Sequence, residues 1–230
     1  MQLYGSTISP FVRKVMVFAE EKGIAIELVP VGPGSDHAAF RAVSPFGKMP
    51  ALLDGDFSLA DSTAIAVYLD TKYPDVPLIP TSAEGRGRTI WFDEFADTII
   101  FAAGRDMLAN RVIGPLFRGQ AGDPDRADIA ERDAWPPIVA YLNDAIGGRS
   151  FLVEDRLTLA DIAVASAFAS SIHGGAPVDA DRWPDAARYL EKMLARPAFA
   201  HRIERERAFI ARARARAGGA GTAALGGRQD

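Results

Sequence analysis

Residues 44–65 read SPFGKMPALLDGDFSLADSTAI, and this stretch decides the fold. Pro50 to Leu53 and Phe57 to Leu59 are short apolar runs. Between them Asp54-Gly55-Asp56 has the turn chemistry that closes an antiparallel hairpin. A helix follows from about Ser62 to Lys72, with Ile65, Tyr68, Leu69 and Lys72 on one face. Upstream, residues 2–4 and 25–31 read as strands, and Phe11, Val15, Phe18 and Lys22 recur between them at helical spacing. Two parallel strands with a crossover helix, then a hairpin and a helix, make an α/β unit of about 80 residues.

Downstream the strand signals stop. Residues 73–82, YPDVPLIPTS, are too rich in proline to continue a helix, so the boundary falls near residues 76–86. Helical patterns then cover Thr89 to Asn110, Asp125 to Ala145, Leu159 to Ser171, Ala186 to Leu194 and Arg202 to Ala217. The expected organisation is an α/β domain over 1–77, a linker over 78–86, an all-helical domain over 87–217 and a disordered tail over 218–230. Thr158 and Asp161 have capping-box spacing, and Leu157 can pack on Ile162 as a hydrophobic staple.

With 230 residues, 48% of them hydrophobic and 24% charged, the chain can bury a sizeable core. A formal net charge of -4 argues against a nucleic-acid partner, which would leave a basic footprint. There is no cysteine, which excludes disulfides, thiolate metal sites and an enzyme cysteine. His37, His173 and His201 are too scattered for a local metal motif, so no metal is expected. No leader or membrane-spanning pattern stands out, which reads as a cytoplasmic chain without a membrane partner. Arg202 to Arg216 holds six arginines interspersed with Glu204 and Glu206 and reads as an exposed, charged helix face.

Three local patterns admit chemistry. Ser9 before Pro10 reads as a helix N-cap, or as the place where a helix N-terminus and a hydroxyl hold a ligand's thiolate. A thiol ionises near pKa 8.5, and lowering that by about 2 units takes ~2.7 kcal/mol. One charge-assisted hydrogen bond plus the helix dipole is of that size. Pro50 either starts an edge strand or follows a cis peptide bond that leaves the Met49 backbone free to pair with a peptide-like ligand. Ser62 reads as a helix cap with Asp61 just outside it. The alternative is a clamp for an amino acid head group, with the carboxylate at Ser62 and the ammonium at Asp61.

SPFVRKV at 9–15, SPFGKMPALLDG at 44–55 and LADSTAI at 59–65 together resemble the glutathione site of the serine-type soluble glutathione S-transferases. FLVEDRLTLADIA at 151–163 and RPAF at 196–199 extend the resemblance over nearly everything before the tail. It implies a thioredoxin-like N-terminal domain and a helical C-terminal domain. It also implies glutathione as co-substrate, a small hydrophobic electrophile and a homodimer. By resemblance Ser9 falls at the thiol-activating position, with Ser6 and Thr7 as alternative hydroxyls, and Met49 before Pro50 at the backbone-pairing position. Asp61, where the family usually has Glu, falls with Ser62 at the γ-glutamyl position, and Lys48 and His37 toward the glycine end. Phe11 is counted among the glutathione-binding residues and, with Arg105, is placed by its position at the electrophile pocket. Two other activities are compatible with these motifs: glutathione-dependent disulfide reduction or reductive ether or halide cleavage, and a non-catalytic interaction module on the same fold.

Overall fold

The computed structural model describes residues 1–32 and 34–225. Its first part comprises β1 (Gln2–Gly5), α1 (Pro10–Glu21), β2 (Glu27–Pro30), α2 (Ala38–Val43), β3 (Ala51–Asp54), β4 (Phe57–Ala60) and α3 (Ser62–Lys72). The strands form one sheet in the order β2-β1-β3-β4. β1 pairs parallel with β2, and the remaining pairs are antiparallel. Sequence periodicity did not reveal α2, whose six residues span under two turns. It is started by His37, whose Nδ1 accepts from the Phe40 amide at 3.4 Å, and anchored by buried Phe40 and Val43.

Register brings one end of the sheet into use. Tyr4, near the end of β1, faces Ala51 at the start of β3, and Ala51 faces Ala60 at the end of β4. The segments after β1, before β3 and after β4 therefore all emerge at the same end. β2 runs parallel to β1, so the loop leading to α2 emerges there as well. Gly5 lets β1 turn closely over α1: a Cβ there would lie 2.4 Å from Val12 Cγ2.

The second part is helical throughout its described residues. A nearly continuous rod is made of α4 (Ala83–Glu94), α5 (Phe101–Leu108) and α6 (Gly114–Phe117), joined by π-helical turns at Phe95–Ile100 and Ala109–Ile113. α7 (Pro124–Ile129), a third π turn at Ala130–Ala134 and α8 (Trp135–Ile146) return alongside it. α9 (Leu159–His173), α10 (Pro184–Leu194) and α11 (Pro197–Leu225) complete the domain. The first rod begins earlier than the expected Thr89, because the Ser82 hydroxyl accepts from the Gly85 amide at 3.1 Å and caps it. Leu78 and Ile79, within the expected linker, are buried, and the Leu78 carbonyl takes the Leu159 amide at 2.9 Å.

α9 is buried on all sides and lies at the centre, the usual consequence of a mostly apolar helix with no polar face. Thr158 and Asp161 form the capping box that their spacing predicts. Asp161 also accepts from the Leu152 amide and the Tyr189 hydroxyl, at 2.9 and 3.0 Å. One hydrophobic cluster runs through both parts, from Leu3, Val15 and Ile65 to Phe92, Ile100 and Phe168.

Two expectations for the C-terminal segment change. Arg202 and Glu206 are buried, because their side of α11 packs on α1, so only part of the arginine-rich segment is an exposed face. α11 also continues to Leu225, through residues expected to begin a disordered tail, since extending an existing helix adds one hydrogen bond per residue without a new nucleus. Residues 226–230 of that expected tail lie outside the described residues.

Candidate functional site

Ser9 stands at the N-cap of α1 with extended backbone angles, and its carbonyl accepts the Arg13 amide at 3.0 Å. Its side chain makes no capping hydrogen bond. The hydroxyl is half-buried and uncommitted to any described residue, as are those of Ser6 and Thr7 in the preceding turn. A helix N-terminus and three uncommitted hydroxyls thus lie close together along the chain, a setting that favours an anion.

Across β1, the Met49-Pro50 peptide bond is cis. Pro50 precedes β3 rather than starting it. Neither the amide nor the carbonyl of Met49 bonds to a described backbone group, so both remain available to an extended ligand. Lys48 is exposed beside it, and its carbonyl is held by the Ser44 hydroxyl at 2.7 Å. His37 is exposed at the β2 side of the same end, its Nδ1 engaged as the α2 cap.

Beyond β4, Asp61 rather than Ser62 caps α3. One of its oxygens, Oδ1, accepts from the amides of Thr63 and Ala64, both at 2.9 Å. The other oxygen takes no described donor. The cost is backbone strain, since Asp61 has φ 89°, a region few residues other than glycine occupy. Ser62 is displaced to the first helical position and buried, with its hydroxyl 3.5 Å from Asp97 Oδ2.

Asp97 belongs to a cluster that the sequence did not announce. Lys14, on α1, is buried and donates to Asp93 Oδ1 at 2.7 Å, Asp97 Oδ2 at 2.6 Å and the Thr63 hydroxyl at 3.2 Å. Thr63 in turn donates to Asp93 Oδ2 at 2.6 Å. Asp93 is fully buried, whereas the Asp97 side chain is 21% exposed and opens toward Ser62. Two carboxylates share one ammonium, which leaves a residual negative charge beside Asp61. Burial pushes Asp97 up to about 6; Lys14 opposes that push and Asp93 reinforces it. The signals available beforehand were the four-residue spacing of Asp93 and Asp97 and the position of Lys14 inside the Phe11-Val15-Phe18 stripe.

The other wall is apolar. Phe11 packs on Phe101 of α5 with ring centroids 4.6 Å apart. Ile8 packs with Leu108, Val112, Ile113, Leu116 and Ile210. Phe101, Arg105, Leu108 and Val112 follow a helical stripe, so Arg105 lies between the two contacts with the Ile8–Phe11 segment. Its side chain is 58% exposed, with Asp106 at 3.8 Å. Two further clefts, of about 530 and 550 Å³, run along α5, α7 and α8, and neither is lined by any of the site residues above. Among the described residues no cluster of three His, Cys, Asp or Glu side chains could hold a metal ion, and no helix is long and apolar enough to cross a membrane.

Neighbouring strands lie about 4.8 Å apart, so the step from Ser9 past Met49 to Asp61, across β1, β3 and β4, is about 10 Å. An extended tripeptide has that length. An uncommitted hydroxyl at a helix N-terminus, a free backbone edge and a carboxylate-capped helix follow one another along one end of the sheet, in the order that the resemblance implies, on an α/β domain capped by a helical one. Comparison with known proteins agrees. Residues 3–77 match the family model for the glutathione S-transferase N-terminal domain, and residues 109–205 that for the C-terminal domain. Glutathione S-transferase 3 of Zea mays is 30% identical over 207 residues, 86% of this chain and 91% of that protein. Human glutathione S-transferase theta-2B is 33% identical over 169 residues, 70% of this chain and 68% of that protein. A glutathione S-transferase structure from Rhodospirillum rubrum F11 aligns with a TM-score of 0.79 at 26% identity, covering 86% of this chain and 89% of that one. One from Methylobacterium radiotolerans, in complex with glutathione sulfonate, aligns with a TM-score of 0.70 at 26% identity, covering 88% and 93%. The chain belongs to the glutathione S-transferase family, with its thioredoxin-like domain followed by the helical domain.

Proposed function

We propose that this transferase activates glutathione at Ser9 and directs the resulting thiolate onto a hydrophobic electrophile. The observation that carries the reading is the convergence of an uncommitted Ser9 hydroxyl, the free Met49 backbone and the Asp61–Ser62 clamp at one end of the sheet. Glutathione lies across the 1–77 domain. Its thiol meets the Ser9 hydroxyl at the α1 N-terminus, and its cysteinyl backbone pairs with Met49 before Pro50. Its γ-glutamyl carboxylate takes the Ser62 amide and hydroxyl. The γ-glutamyl ammonium takes the second oxygen of Asp61, together with the charge that Asp97 contributes. Lys48, exposed at the opposite side and flanked by His37, meets the glycine carboxylate.

The thiolate is the nucleophile, and the chain's part is to lower the cost of forming it. As the sulfur bonds to the electrophilic carbon, the leaving group or developing negative charge falls within reach of Arg105. The electrophile rests against Phe11 and the apolar wall contributed by the 87–217 domain. A homodimer completes the proposal. Phe46 is 87% exposed beside the site, and the cleft lined by Phe95, Ile99, Ile138 and Tyr141 offers a second copy further apolar surface to cover.

The test is an ultraviolet titration of the thiolate of bound glutathione, in the native protein and in Ser9→Ala. The expected result is a thiol pKa lowered by about one unit or more in the native protein and returned toward the free value in the variant. An undepressed thiol in both proteins would refute activation.

A further inference from the structure

Arg13 is the largest fully buried side chain among the described residues, and the glutathione site as drawn makes no use of it. Its guanidinium donates from Nε and Nη2 to the two oxygens of Glu206, at 3.1 and 2.6 Å. Nη1 reaches the Ser166 carbonyl at 2.5 Å and the Ser170 hydroxyl at 3.2 Å, both on α9. Glu206, on α11, is 1% exposed, and its Oε2 also meets His173 Nε2 at 2.8 Å. Bidentate pairing fixes the direction of a guanidinium as well as its position. Burial favours the neutral acid at Glu206, but the charge of Arg13 and the hydrogen bond from His173 outweigh it and hold the carboxyl below the usual range.

The pair is tied to Ser9 from both sides. The Arg13 amide closes the first hydrogen bond of α1 onto the Ser9 carbonyl. One turn beyond Glu206, Ile210 packs in the same cluster as Ile8. α11 therefore holds the residue one turn after Ser9 directly and shares an apolar cluster with the residue before it. We propose that Glu206, acting through Arg13, is a positioning residue that sets the first turn of α1 against α9 and so aims the Ser9 hydroxyl. The inference rests on the reading of Ser9 as the thiol-activating residue.

A positioning role and a purely electrostatic one predict opposite signs. Removing the Glu206 charge leaves the Arg13 cation uncompensated, which by charge alone would lower the pKa of a nearby thiol. Loss of aim would raise it. Three variants separate these cases: Glu206→Gln, Glu206→Asp, which keeps the charge but shortens the reach, and Tyr189→Phe. The last removes a buried hydrogen bond to Asp161 at the start of α9, in which neither Arg13 nor Glu206 takes part, and controls for simple destabilisation.

Two readouts are needed: hydrogen exchange at the Arg13 amide in the ligand-free protein and the thiol pKa of bound glutathione. Both Glu206 variants should speed exchange at Arg13 about tenfold and raise the thiol pKa by about half a unit or more. Tyr189→Phe should lower the melting temperature and leave both readouts unchanged. Unchanged exchange in Glu206→Gln, a lowered thiol pKa, or full rescue by Glu206→Asp would overturn the proposal. Faster exchange combined with an undepressed thiol in the native protein would instead refute the Ser9 reading, while upholding the hold of Glu206 on α1.

Discussion

The Ser62 hydroxyl and Asp97 Oδ2 lie 3.5 Å apart although 35 residues and the domain boundary separate them. Ser62 opens α3 in the α/β domain, and Asp97 sits in the first π turn of the helical one. Lys14 makes the approach possible, because its ammonium offsets the charge that Asp97 and Asp93 bring to the interface. The clamp proposed for the γ-glutamyl group thus draws on both domains.

On the proposed binding mode, this arrangement predicts a pH dependence of glutathione binding. With Asp97 pushed up to about 6, the carboxylate that attracts the ammonium is lost as the pH falls through that value. Calorimetric titration should show weaker binding at about pH 5 than at about pH 7.5, and Asp97→Asn should flatten the dependence and cost about tenfold in affinity at the higher pH. In the ligand-free protein the sign for stability is the reverse. A folded-state pKa above the ordinary 3.8 means that this group favours folding at low pH, and the contribution is lost as the pH rises through about 6. Equal affinity at both pH values would remove Asp97 from the site.

Asp61 combines a cap with a strained backbone, so its substitutions should rank unusually. Asp61→Ala loses the two amide hydrogen bonds and keeps the unfavourable φ, at a cost of about 1 kcal/mol or more. Asp61→Gly relieves the strain and should lie between Ala and the native protein in urea denaturation. Both should weaken glutathione binding to the same extent, since both remove the same carboxylate. Weaker binding in only one of them would indicate that helix geometry, not the charge, governs recognition.

Phe46 is exposed in the single chain, so Phe46→Ser should leave the folding of a protomer unchanged. In a homodimer that covers this ring, the substitution removes about 1.5–3 kcal/mol of burial at each copy. Sedimentation velocity should then show the native dimer shifted toward monomer in the variant. Identical sedimentation would place the subunit contact elsewhere.

The region around residues 44–65 was legible because its signals are local. The hairpin turn lies between its own strands, and the limits of α3 at Ser62 and Lys72 follow from cap chemistry and periodicity. α2 was not legible, since six residues make too little of a pattern. Residue type alone places the cap of α3 one residue late, because Asp61 and Ser62 are both good caps and only the backbone decides between them. Lys14 and Asp97 are 83 residues apart and Arg13 and Glu206 are 193 apart. A charge in a helical pattern reads as solvated until a distant partner is placed against it. The arrangement of the three motifs was recoverable from order alone; the polar interface beneath them was not.

The reach of Arg13 bears on how the protein is made. Its side-chain partners lie 153, 157 and 193 residues further along the chain. A ribosome that has released the whole sheet and α3 has delivered a guanidinium with nothing to hold it and a face of α1 with nothing to cover it. The hydrophobic cluster likewise draws on Leu3 at one extreme and Phe199 at the other. The boundary between the domains therefore divides the topology but not the burial of α1: its Arg13 face is closed only once the final helix is in place.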